Sequence, residues 1–146
     1  MKSVLTAWKK IKSELIEEFT DEETGICPIV VSICGDYRNY LVGENPKTFP
    51  MVLISCSGYG PDDLVNNYFK SAPGKIYFEV NFITYDTEDC IESLFDYMES
   101  AYDKLHGNAL EITAASSLEW VNTDILQPAQ GFVGYTQKYS IRFINN

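Results

Sequence analysis

The residues with the most reactive side chains in this 146-residue chain are four cysteines, Cys27, Cys34, Cys56 and Cys90, and a single histidine, His106. No CxxC pair occurs, and His106 is far from every cysteine in sequence, so neither a zinc site nor a dithiol redox pair is supported. A Cys–His nucleophilic pair needs the two side chains within hydrogen-bond reach and a third group to orient the base. Cys90 falls on the same predicted helix as His106, too far along the axis at about 1.5 Å per residue. Any of the other three would serve only if the fold brought it to His106. The plainer expectation is reduced, mostly buried thiols in a cytoplasmic protein. The glycine-rich SGYGPDD (Ser57–Asp63) lacks the closing Gly-Lys-Ser/Thr of a phosphate loop, and Gly74–Lys75 is followed by Ile76. Asp62 with Asp63, or Asp86 with Glu88 and Asp89, lack the alternating ligands and closing glutamate of a calcium loop. Helix capping accounts for the second set. With no GxSxG or HExxH either, the sequence does not read as an enzyme, and no catalytic, metal or cofactor-binding residues are expected.

Charge narrows the partners. The formal net charge is −10, from 21 acidic against 11 basic residues. A chain this acidic gains nothing from counterion release on a phosphate backbone and is repelled by anionic membranes, so neither nucleic acid nor membrane is an expected partner. The same charge serves solubility or forms a functional acidic surface, and both readings stay open. At the start, Lys9, Lys10 and Lys12 interrupt the apolar residues before a secretory h-region can form. No apolar run approaches the roughly 20 residues of a membrane span.

The elements that would position any site follow from periodicity. Val4, Trp8, Ile11, Leu15 and Phe19 recur at steps of three and four and predict an amphipathic helix. Ile26–Cys34 is a short β-rich run in which Pro28 argues for an edge or a strand start. Phe49–Cys56 is continuously apolar and predicts a strand buried on both faces. Ser57–Gly74 holds two Gly/Pro breakers and predicts a long loop. In Lys75–Tyr85, Ile76, Phe78, Val80 and Phe82 alternate against Tyr77, Glu79 and Asn81, a clear strand pattern. A second helix follows, capped by Asp86 or Thr87, striped by Ile91, Leu94, Phe95, Met98, Tyr102 and Leu105, and stopped by Gly107. Leu110–Val121 alternates as a strand, Asn122–Gly134 predicts a loop, and Tyr135–Ile144 a closing strand. Each helix has one apolar stripe and must lie on a sheet. The expectation is a single α+β domain over 1–146, with one four- to five-stranded, mostly antiparallel sheet and two main helices packed on one face.

That order and texture resemble the tail terminator proteins of long-tailed bacteriophages and the wider group of head–tail and tail-completion proteins. The resemblance runs nearly the whole length. It is carried by the helix Ala7–Phe19, a loop ending in NPKTFPMVLIS, the strand GKIYFEVNFITY running into TEDCIESLFDYMESAYDKL, the strand LEITAASSLEW, and the closing YTQKYSIRFIN. It implies a ring subunit, typically of a hexamer, that caps the tail tube and docks the head. Its partners would be itself, the tail tube protein and a head-completion or connector protein. Its place would be the host cytoplasm and then the tail–neck junction of the virion. Acidity would suit a ring through which DNA passes, because like charge discourages sticking.

Tyr37, Tyr40, Leu41, Tyr59, Tyr68, Phe69, Leu126 and Phe132 are large apolar or amphipathic residues in predicted loops. They mark a subunit or partner interface, or they fold back as satellite clusters. Two further readings remain. One is a head-side neck or connector protein of the same fold; the other is a small cytoplasmic enzyme or ligand-binding domain, with a deep pocket and a perturbed acid or histidine.

Overall fold

A computed structural model of the chain describes residues 2–20, 30–32, 49–60, 74–112 and 115–143. The element order is α1 (Lys2–Phe19), β1 (Val30–Ser32), β2 (Met51–Gly60), β3 (Lys75–Tyr85), α2 (Glu88–Leu105), β4 (Glu119–Leu126) and β5 (Phe132–Arg142). The strands form one sheet in the order β1-β2-β3-β5-β4. β1 runs parallel to β2, and every other pairing is antiparallel. β1 is an edge strand, as Pro28 suggested, while β2 lies inside the sheet with Met51 to Ser55 all buried.

Both helices lie on one face. In α1, Ala7, Ile11 and Leu15 recur every four residues, one above the other, and are fully buried. They belong to one core with Val52 and Ile54 of β2 and Ile76, Phe78, Val80 and Phe82 of β3. α2 contributes Leu94, Met98, Ala101 and Leu105 to the same core, over Tyr139 and Ile141 of β5. Thr87 caps α2: its side chain accepts the Cys90 N–H at 3.4 Å, and Glu88 and Asp89 sit at the positive end of the helix dipole. Gly107 ends it at φ +80°, a conformation that L side chains rarely adopt. Across the helix pair, Lys104 lies 3.5 Å from both Glu14 and Glu17 of α1. Desolvation pulls the Lys104 ammonium down, but the Glu17 and Glu14 carboxylates overcome it and hold its pKa above the ordinary value.

A smaller cluster lies on the other face, at one end of the sheet. Met51, Leu53 and Ile83 are buried there, with Phe49, Leu126 and Phe132 packed against them. Asn81 shares that face and donates from Nδ2 to the Leu53 carbonyl at 3.3 Å. Beneath α2, the Tyr139 hydroxyl donates to Gln137 Oε1 at 2.7 Å and Gln137 Nε2 to the Met98 carbonyl at 2.9 Å. Helix and sheet are thereby joined by polar bonds inside an apolar core.

Four sequence expectations are corrected. Leu110–Val121 is a strand only over Glu119–Val121, the start of β4: residues 110–112 and 116–118 are irregular, and Ala115 makes only an isolated bridge to Phe143. The alternation there reflects Leu110 and Leu118 dipping singly into the core. The expected loop Asn122–Gly134 shrinks to the hairpin connection 127–131, because β4 runs through Asn122–Leu126 and β5 starts at Phe132. Similarly, β2 continues past Ser57 to Gly60, with a register shift between Cys56 and Gly58. Cys56 is exposed and Cys90 half-buried, against the expectation of mostly buried thiols, while Cys27 and Cys34 lie outside the described residues.

Two predictions follow from this packing. A Cβ at Gly134 would sit 2.8 Å from the Phe82 carbonyl oxygen and 3.2 Å from Ile83 Cγ1. Gly134→Ala should cost about 1–3 kcal/mol in urea unfolding, because backbone must move to admit the methyl. Burial first, and Tyr102 second, push the Tyr139 phenol above its ordinary pKa. The folded state keeps that proton where the unfolded chain, titrating near pH 10, has lost it. Stability present below about pH 10 should therefore be lost as pH rises above it, and Tyr139→Phe should reduce that alkaline loss.

Candidate assembly surface

β4 is the last strand of the sheet, and the seven residues from Glu119 to Ile125 are all exposed. Among the described residues only β5 pairs with β4, so alternate residues direct N–H and C=O groups away from β5. The exposed side chains include Trp120, Val121 and Ile125, the last with 71% of its surface accessible. Ile125 is paired with Tyr135, whose ring lies 5.4 Å from that of Phe95 on α2. Phe95 is itself 48% exposed. An apolar strip therefore runs from α2 across Tyr135 to the sheet edge. Beside it, the hairpin connection and Asp86 line an open hollow of about 460 Å³.

Local bonds hold this edge in shape. The Trp120 N–H donates to His106 Nδ1 at 3.1 Å, which ties the start of β4 to the end of α2 and places the ring proton of His106 on Nε2. His106 stacks on Tyr102, with centroids 5.0 Å apart, and Trp120 meets the same Tyr102 edge-on at 5.9 Å. The Trp120 indole N–H donates to Thr123 Oγ1 at 2.9 Å. Val121 is the extra residue of a bulge, where the β5 pairing steps from Trp120 to Asn122. The histidine that ends the helix thus serves as a hydrogen-bond acceptor for the edge strand.

Elsewhere the described residues offer little chemistry. A second hollow of about 340 Å³ lies between α1 and the segment after α2, lined by Lys10, Glu14, Asn108 and Glu111 among others. Its one cation is engaged: Lys10 Nζ donates to the carbonyls of Leu110 and Glu111. Among the described residues, no group of three His, Cys, Asp or Glu side chains is placed to hold a metal ion. No described helix is long and apolar enough to cross a membrane. The outer side of α2 carries the exposed acids Glu92, Asp96, Glu99 and Asp103, spaced at three and four residues on one ridge.

Of the residues singled out from the sequence, Tyr37, Tyr40, Leu41, Tyr68 and Phe69 lie outside the described residues. Tyr59 belongs to β2, paired with Ile76, not to a loop. Leu126 and Phe132 also fall on strands and come together over Met51, Leu53 and Ile83. Phe132 stands 5.1 Å from Phe49 and 5.5 Å from Tyr85, ring to ring, as a satellite cluster does. Trp120, Val121, Ile125 and Phe95 were missed as surface residues. Phe95 matched the helix stripe, but Ala101 takes the buried position and Phe95 faces out. The chain matches no protein-family model and no curated protein.

His106→Ala removes the acceptor of the Trp120 amide. Hydrogen exchange at that amide should quicken, with a loss of about 1 kcal/mol of global stability. Ile125→Asp should change stability by less than about 0.5 kcal/mol, because the side chain is exposed.

Proposed function

We propose that this chain is a virion assembly protein of a bacteriophage or prophage, a tail terminator subunit that closes the tail tube in a ring and joins it to the head. The observation that carries the assembly part of this reading is the bare β4 edge with the Phe95–Tyr135–Ile125 strip beside it. An ordered strand with unpaired backbone and exposed apolar side chains is a ready template for another chain. The element order supports the choice of family: an amphipathic helix, an apolar strand entered through Phe49–Pro50, an alternating strand running into an acidic helix, and a closing hairpin. The acid ridge on α2 is consistent with a ring that must not bind the DNA passing through it.

In this reading the free chain has no reaction to perform. Its work is the exchange of an exposed edge for a covered one when subunits meet at the tube end. Co-expression with the tail tube protein and with the head-side adaptor tests it. The expected result is copurification with the tube protein and a cyclic assembly in native mass spectrometry. Copurification with the head-side adaptor alone would assign the chain to the neck, and failure to bind either would remove the tail reading.

A further inference from the structure

We infer that β4 is a self-recognition strand: in the free protein, two copies pair antiparallel along this edge, about a two-fold axis at Thr123. The argument begins with which side chains share a face. Thr123 is paired with Gln137 and Ile125 with Tyr135, and both partners face the helices. Asn122 and Asp124, paired with Lys138 and Thr136, share the opposite face. Opposed residues of an antiparallel pair share a face, so a two-fold axis must pass through a residue, not between two.

Charge then selects the residue. An axis at Asp124 would set Asp124 directly against its own copy, and like charges opposed across strands are destabilising. An axis at Asn122 would bring Asp124 opposite Trp120, whose indole the bulge turns to the helix face, so the carboxylate would gain no donor there. An axis at Thr123 sets Thr123 against Thr123 and Asn122 against Asp124, an amide donor facing a carboxylate acceptor. It also brings Val121 of each copy to Ile125 of the other, covering both exposed apolar side chains twice over. No acid opposes an acid in this register. The edge is complementary to itself in shape, polarity and charge.

The pairing does not rest on the tail reading. A two-fold contact is closed and does not propagate into a ring. The pair is therefore the form of the free chain, and it must open before β4 can enter a larger assembly. Because each copy carries a net charge of −10, added salt should strengthen the pair by screening the repulsion.

Single cysteine substitutions test the register. Opposed Cα atoms lie about 4.5–5.5 Å apart, inside the disulfide range of about 4.4–6.8 Å. Thr123→Cys should give an air-oxidised dimer joining two copies of the tryptic peptide 105–138, which holds no native cysteine. Asn122→Cys and Asp124→Cys, each alone, should not, since each meets its own copy two positions off register. Mixed together, those two should cross-link. Circular dichroism would show that each variant keeps the fold. Sedimentation of the native chain should give a dimer, weakened about tenfold or more by Ile125→Lys. A monomer at every soluble concentration, equal cross-linking at all three positions, or a cyclic assembly that Thr123→Cys does not cross-link would overturn the proposal. The last result would leave the ring reading standing. A cross-linked dimer that ignores the tail tube protein would uphold the pair and remove the ring.

Discussion

Coverage is the constraint on which the molecule depends. One face of a five-stranded sheet is apolar over β2, β3 and β5, and only two described helices lie over it. A helix with its side chains is about 10–12 Å across, and neighbouring strands are about 4.8 Å apart. Two helices side by side therefore shield about four strands. α1 lies over β1 and β2, while α2 lies over β3 and reaches only the margin of β4. The strand left at the margin keeps its surface in solvent. The helix pair is drawn together by Lys104 between Glu14 and Glu17, and α2 is pinned to β5 through Gln137. Its position, and with it the line where shielding stops, is fixed from both sides.

The α+β class, the helices and the central strands were legible because burial there follows one clean period. Ile76, Phe78, Val80 and Phe82 alternate, and Ala7, Ile11 and Leu15 repeat every four residues. β4 was not legible, for a physical reason. Asn122 and Asp124 are residues that strands avoid, and no buried face imposes an alternating pattern on Glu119–Ile125. An exposed edge is specified by hydrogen bonds to β5 and by His106, and neither leaves a hydrophobic signature in the sequence. The converse error, a strand over Leu110–Val121, arose where single side chains dip into the core from irregular backbone. Leu126 and Phe132 were recognised as notable, but the turn residues around them concealed that they sit on strands.

The edge is managed as well as exposed. Natural sheets blunt free edges with bulges and charges, and β4 carries a bulge at Val121 and two acids, Glu119 and Asp124. These devices discourage indiscriminate stacking of strands while leaving the stretch Asn122–Leu126 regular. An edge with both apolar side chains and such safeguards discriminates among the strands it accepts, because an incoming strand must match the bulge and avoid the acids.

The placement of the two tryptophans gives the chain a built-in optical contrast. Trp8, on α1, is half-buried against the core, whereas Trp120 is exposed on the β4 edge, its indole tethered to Thr123. One indole senses whether the domain is folded, and the other senses what touches its margin. Exchange of either for phenylalanine separates the two signals, so that folding and contact can be followed in the same sample without an added label.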